Sequence, residues 1–276
     1  MKALPLTHAI VHGLIRPRKA NSHKGDHGHA LLIAGSRGRM GAAVIAAKAC
    51  LRSGPGLLTV IIPQEERAIL QSAVPEAMLS MREEVYDIKH FSALGIGPAI
   101  GTDAAAAAML KKIFTEYHMP LLLDADALTV LSADKALMKN IPAGTVLTPH
   151  PKEFDRLFGE HGNDKERRIT AIKMAEEKNI IIVLKGYRSM ICSGKKAFIN
   201  ETGNAGLAKG GSGDALTGII TAFLAQGYDP FEAACTGVYI HGLAADIALK
   251  EQSTESMLIT DAIKCLGKAF KKLNRK

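Results

Sequence analysis

The sequence predicts an α/β fold, a central, mostly parallel sheet flanked by helices on both faces. Three observations predict it. Short β-rich runs alternate with longer helical stretches. Those β-rich runs are continuously apolar instead of alternating, as strands covered on both faces are. Polar or glycine-rich segments recur just after the runs, where an open parallel sheet gathers its ligand-binding loops.

The elements follow in order. "HALLIAGS" reads as a strand ending in a turn, and "GAAVIAAKACLRSG" as a helix built on alanine propensity and closed by Gly54. "LLTVIIP" is a strand, and "ALGIGPAIG" is a strand running into a glycine loop. "TDAAAAAMLKKIFTEYH" is a helix with Thr102 or Asp103 as its N-cap. "PLLLDADAL", "GTVLTPH" and "NIIIVLKG" are strands that end in polar residues, and "RSMICSGKKAFINETG" predicts an antiparallel hairpin. The chain then turns helical, with helices from about Gly213, from Pro230 and from Thr260. No Gly/Ser/Pro-rich linker and no repeat divides it, so residues 1–276 are expected to form a single domain, with residues 1–20 as a short N-terminal extension.

Composition narrows the function classes. A chain of 276 residues buries a large core without staples. With no tryptophan, that core must be mainly aliphatic. The net charge of +8 suits phosphorylated small molecules as well as polyanions. Much of it lies in "LIRPRKANSHKGDHGH" and "KAFKKLNRK", and no zinc-finger, RNA-recognition or helix-turn-helix signature accompanies it, so no nucleic-acid partner is expected. Cys50, Cys192, Cys235 and Cys265 form no CxxC pair and suit buried positions in a reducing compartment. No run reaches the roughly 18 apolar residues that span a bilayer, and no signal-peptide pattern opens the chain. A cytoplasmic protein with no membrane partner is expected.

The segments "AGSRGRMG", "GIGPAIG", "DADAL", "TPHPKE", "KGYRS" and "KGGSGD" together outline one cleft at the carboxyl ends of the strands. In "KGGSGDALTGII" the apolar periodicity places a helix start near Gly213. Unpaired backbone N–H groups and the helix dipole there make an anion hole suited to phosphate, with Lys209 as a further source of charge. A carboxylate in such a place costs electrostatic energy, so Asp214 needs a task. Deprotonating a substrate hydroxyl during phosphoryl transfer is the natural one. A glycine-rich helix entry with a favourable first-turn acid is the alternative reading. Asp124 and Asp126, ending a strand at the cleft, suit capping of the next helix.

A GxGD turn opening a helix is the signature of ribokinase-like kinases, and this segment resembles it. Within that superfamily, "SHKGDHGHALLIAGSRGRMGAAVIAAKACLRSGPGLLTV", "GIGPAIG", "LLLDADAL", "LTPHPKEF", "VLKG" and "NAGLAKGGSGDALTGII" resemble the NAD(P)H-hydrate dehydratase family, in order over roughly residues 20 to 270. The resemblance implies a ribokinase-like fold. It implies dehydration of the S form of hydrated NADH or NADPH at the expense of ADP, with ATP as the alternative donor, Mg2+ on the nucleotide phosphates, and a homotetramer. Some members carry a fused epimerase domain. With about 20 residues before the match, none is expected here, and an epimerase would be a separate functional partner.

The resemblance also implies roles. Asp214 takes the hydroxyl proton and touches the hydrate, while the N–H groups of Gly211, Ser212 and Gly213 hold the phosphoryl group. Ala43, beside the turn shaped by Gly41, approaches the hydrate, and so do Gly97, Gly101 and His150. Gly97 and Gly101 equally suit an ordinary strand-to-helix turn, and His150 between two prolines a rigid one. Lys185, Gly186, Tyr187, Arg188 and Ser189 hold the AMP portion of the nucleotide together with Gly213, Asn204 steadies the loop before the anion hole, and Glu153 organises the metal through water. Two positions depart from the family pattern: Ala99 replaces a glycine of GPGLG, and Lys152 one of TPHPGE. Two other functions share parts of this pattern. A thiazole-alcohol or hydroxymethylpyrimidine kinase would share the GxGD turn but lack "SHKGDHG" and "LTPHP". A non-catalytic nucleotide-binding regulator would have no use for Asp214.

Overall fold

Runs that are apolar on every residue become strands with no wet face. The computed structural model describes residues 3–84 and 87–274. Its strands are β1 (Leu4–Leu6), β2 (His29–Ile33), β3 (Leu57–Ile62), β4 (Met78–Met81), β5 (Ala93–Ile96), β6 (Leu121–Leu123), β7 (Val146–Leu147), β8 (Ile181–Leu184), β9 (Met190–Cys192) and β10 (Ala197–Asn200). Its helices are α1 (His8–Leu14), α2 (Met40–Arg52), α3 (Arg67–Ala73), α4 (Ala104–Glu116), α5 (Asp126–Ala133), α6 (Lys135–Lys139), α7 (Pro151–Phe158), α8 (Asp164–Lys178), α9 (Ser212–Ala225), α10 (Pro230–Ala248) and α11 (Ile259–Leu273).

The strands form one sheet in the order β1-β10-β9-β8-β7-β6-β5-β2-β3-β4. Strand β9 runs against both neighbours, making the expected hairpin with β10, while the pairings from β4 through β8 are parallel. Successive residues of each inner strand enter opposite cores. Ala30 and Leu32 of β2 join the cluster beneath α2, α9, α10 and α11, whereas Leu31 and Ile33 join the one beneath α4, α5, α7 and α8.

Helix α9 is the centre of the first layer, buried from Ala215 to Ala225. It lies so close to α2 that a Cβ on Gly218 would sit 2.1 Å from the Ala46 carbonyl oxygen. The first twenty residues, expected as an extension, are partly woven into this frame. Strand β1 pairs with β10 at the sheet edge, and α1 packs on α10 and α11 with Val11 fully buried. Pro5, in a strand of three residues, and the interrupted apolar pattern hid both elements from the sequence. At the other end of the sheet lies β4, and the largely polar α8 joins the second layer through Ala171 and Ala175 alone of its fully buried residues.

The sheet direction sets the site. The chain leaves the carboxyl ends of β2, β5, β6, β7 and β8 along one edge, into Gly35, Gly97, Asp124, His150 and Lys185. Helix α9 points its N-terminus at that edge.

Candidate active site

The anion hole forms because the chain enters α9 through a left-handed residue. Gly211, the N-cap, has φ +91° and no side-chain cap. The Ser212 hydroxyl donates to the Leu207 carbonyl at 2.7 Å, tying the loop down. The Ser212 N–H leans back on Lys209 O at 3.4 Å and the Ala215 N–H on Gly211 O at 2.9 Å. Between them the Gly213 and Asp214 N–H groups lie in the first turn, where a helix has no internal acceptor to offer. Asn204 steadies the approach: its side-chain oxygen accepts from Gly206 N–H at 3.0 Å, and its amide donates to Asp246 at 3.0 Å.

Lys209 does not supply the extra charge expected of it. Its ammonium is turned away, bonded to the carbonyls of Glu255 and Met257. The cation at the mouth of α9 is Lys185, from the end of β8. A Cβ on Gly213 would lie 3.5 Å from its Nζ. Lys185 donates to Asp124 Oδ1 at 2.8 Å and lies 3.8 Å from Glu153 Oε2. Burial works against its charge, but the carboxylates of Asp124 and Glu153 outweigh it and hold its pKa above the usual lysine value.

Asp124 is therefore not a helix cap, which corrects the expectation for it. Its carboxylate, 2% exposed, receives Lys185 on one oxygen and the Thr217 hydroxyl on the other at 2.9 Å. Asp126 does not cap by its side chain either, because it accepts from the Gly101 N–H at 2.9 Å and faces Arg39 at 3.6 Å. Between the two acids, Ala125 takes φ +49° and ψ −120°, which swings them to opposite sides of the turn. Gly97 lets this turn approach the end of β5, since a Cβ there would lie 1.7 Å from the Asp124 carbonyl oxygen.

Asp214 stands half-buried at the front of α9. Burial, then the negative charge of Asp124, pushes its pKa up to about 6, with Lys185 opposing and Asp126 adding. A carboxylate poised near neutrality at an anion hole suits a general base.

His150 and Glu153 open α7 as a reciprocal capping box. The His150 ring accepts from Glu153 N–H at 3.2 Å, and Glu153 Oε2 from His150 N–H at 2.8 Å. Burial holds the His150 ring below the usual histidine pKa, against the pull of Glu153. Lys152 points to solvent.

A cavity of about 660 Å³ brings Lys185, Gly186, Tyr187, Arg188 and Ser189 together with Ser212 and Gly213. Asp214 follows Gly213 in the first turn of α9, while Gly101 and His150 lie outside the cavity lining. Ala43 and Gly97 are enclosed and present no surface to it. Sequence reasoning missed Thr217, although its place three residues after Asp214 on one helix face was a usable signal. It also missed His241 of α10, which lines the cavity wall. Burial, then the charge of Lys185, brings that ring to about 4, so it is neutral at pH 7. Nothing in the apolar run around it marked it out.

Among the described residues no cluster of three or more His, Cys, Asp or Glu side chains forms a metal cage. Glu153 near an anion hole suits instead a hard cation that arrives with phosphates and its own water.

The chain and its fold are similar to known proteins. The chain is 39% identical over 248 residues to the ADP-dependent (S)-NAD(P)H-hydrate dehydratase of Neisseria meningitidis, covering 87% of this chain and 83% of that one. Its structure matches the ADP/ATP-dependent NAD(P)H-hydrate dehydratase of Bacillus subtilis, co-crystallised with ATP and Mg2+, at a TM-score of 0.89, 32% identity and 99% of both chains. It is 34% identical over 97% of its length to the bifunctional NAD(P)H-hydrate repair enzyme of Moorella thermoacetica, and it spans about half the length of the bifunctional relatives it matches. The fold is ribokinase-like. The sequence profile of NAD(P)H-hydrate dehydratase matches residues 30–268, from β2 through most of α11 and so across the whole cleft. An acid at the mouth of a glycine-entered helix, its lysine neighbour and that match agree: the chain belongs to the NAD(P)H-hydrate dehydratase family.

Proposed function

We propose that this protein dehydrates the S hydrate of NADH and NADPH, consuming ADP and releasing AMP and phosphate. The observation that carries the reading is the Asp214 carboxylate, raised to about 6, at the mouth of an anion hole faced by Lys185. Hydroxide leaves poorly and phosphate leaves well. Asp214 takes the proton of the hydrate hydroxyl as its oxygen attacks the terminal phosphorus of ADP, and AMP departs. The ring-nitrogen lone pair then expels phosphate to leave an iminium, and loss of a proton from the adjacent ring carbon to water restores the dihydropyridine. The first-turn N–H groups of Gly213 and Asp214 and the Lys185 ammonium hold the phosphoryl group as charge develops, in place of the Gly211 and Ser212 N–H groups, since Gly211 is the N-cap and Ser212 N–H is turned to Lys209.

Residues 185–189 and Gly213 hold the AMP portion, while Gly101 and His150 face the hydrate. Ala43 and Gly97 act from behind as spacers that shape its pocket. Mg2+ arriving with the nucleotide would supply positive charge to the phosphates, and Glu153 is the residue that would help hold it, through water. ATP is the alternative donor. A cytoplasmic homotetramer with a functional link to an NAD(P)H-hydrate epimerase completes the reading, and its support is the family membership and the bifunctional relatives.

The test uses purified protein, the S hydrate of NADH, Mg2+ and either ADP or ATP. The near-ultraviolet absorbance of the restored dihydropyridine should return with one or both nucleotides, and Asp214→Asn should lower kcat at least about a thousandfold. No recovery with either nucleotide, the S hydrate being confirmed present, refutes the reading.

A further inference from the structure

Lys185 is the cation that could disable the base. It faces three carboxylates: Asp124 at 2.8 Å, Glu153 at 3.8 Å, and Asp214, whose charge it feels without a contact. Were Lys185 to pair with Asp214 instead, that acid would be a poor proton acceptor. Asp124 is built to prevent this. It is fully enclosed, its backbone is turned by the strained Ala125, and its second oxygen is fixed by the Thr217 hydroxyl. Thr217 lies one turn behind Asp214, so α9 carries both the acid at the front and the group that steadies its competitor.

We propose that Asp124 is a positioning residue for phosphoryl transfer: held by Thr217, it keeps the Lys185 ammonium at the mouth of α9 and away from Asp214. The inference rests on the reading of Asp214 as the base. The groups that face this cluster come from every neighbouring element: Asp124 and Asp126 from the turn after β6, with Arg39 opposite Asp126; Lys185 from the end of β8; His150 and Glu153 from α7; and His241 from α10. Of the cations, Lys185 is the one that acts on Asp214.

Removing the Asp124 charge acts on Asp214 in one direction. A nearby negative charge is lost, and Lys185 is released toward the base, so the Asp214 midpoint falls. The experiment follows the Asp214 carboxyl carbon by NMR in protein labelled at aspartate, its signal identified by its absence in Asp214→Asn. In Asp124→Asn the midpoint should fall by about one unit or more. Adding Lys185→Met to Asp124→Asn should raise it again, which a merely structural role for Asp124 would not do. In turnover, kcat of Asp124→Asn should drop about a hundredfold with its acid limb moved to lower pH, and KM for the hydrate should change little.

An unmoved midpoint in folded Asp124→Asn overturns the proposal, and so does a double variant that stays as low as the single one. If Asp124→Asn does not fold, Thr217→Val should shift the midpoint in the same direction by a smaller amount, and no shift there overturns it equally. The titration needs no turnover. A wild type that binds nucleotide but dehydrates nothing therefore refutes the assigned reaction and leaves the role of Asp124 to the NMR result.

Discussion

Asp214 is held where its ionised form is disfavoured, and that has a thermodynamic signature. Its folded-state pKa, about 6, lies above the ordinary carboxylate value, so the native state binds this proton more tightly than the unfolded chain does. The resulting stability is fully present below the ordinary carboxylate pKa and is lost as pH rises through about 6. At neutral pH the charged side chain costs the fold on the order of 1–3 kcal/mol. Asp214→Asn should therefore melt a few degrees higher than wild type at neutral pH while losing turnover. The gain should disappear in acid, where the native carboxyl is already neutral. Melting curves at the two pH values check this, and an equal gain at both would point to packing instead of charge. Strain marks the same rim: Ala99, Ala125 and Arg188 all take positive φ, at about 1–3 kcal/mol each. Ala99 does so where the family pattern has glycine. At this scale the GxGD turn was legible because its chemistry is local. The Asp124 cluster was not, because Lys185 and Thr217 lie 61 and 93 residues away in sequence.

At the scale of elements, the anion hole depends on where α9 is clamped. Gly218 has no room for a methyl group, since the added carbon would lie 2.1 Å from Ala46 O and 3.0 Å from Cys50 N. Both are backbone atoms of α2, so nothing flexible is there to yield. Gly218→Ala should cost about 2–3 kcal/mol in denaturant unfolding and weaken nucleotide binding by tilting the helix mouth. Unchanged stability would mean that α2 slides freely. The inner strands, α2, α4 and the three C-terminal helices were legible because each is a long or wholly apolar run. Helix α8 was not, because it buries only Ala171 and Ala175 and presents charge elsewhere. The edge strands β1 and β4 are too short and too exposed for periodicity to register.

On the scale of the molecule, a parallel sheet between two aliphatic layers places every site loop along one edge. The fold class was legible from alternation and from strands without a polar face. The division of the site was not, because it depends on burial. One wall, α9, is sealed inside the core from Ala215 onward, whereas the opposite wall, residues 186–189, is a surface loop with Tyr187 89% exposed. The two walls should differ in time as they do in depth. In hydrogen exchange, the amides of α9 from its second turn should open only with global unfolding, while those of 186–189 exchange orders of magnitude sooner. Nucleotide should slow the loop and the first turn of α9 and leave the rest of that helix untouched. Equal exchange of both walls in the free protein would contradict this. If the nucleotide binds as proposed, its phosphate end meets a surface that is already set and its adenosine end one that must still come to rest. On that reading, capture and release of the spent nucleotide would fall to the loop, which can change in sequence without disturbing the half of the site assigned to the chemistry.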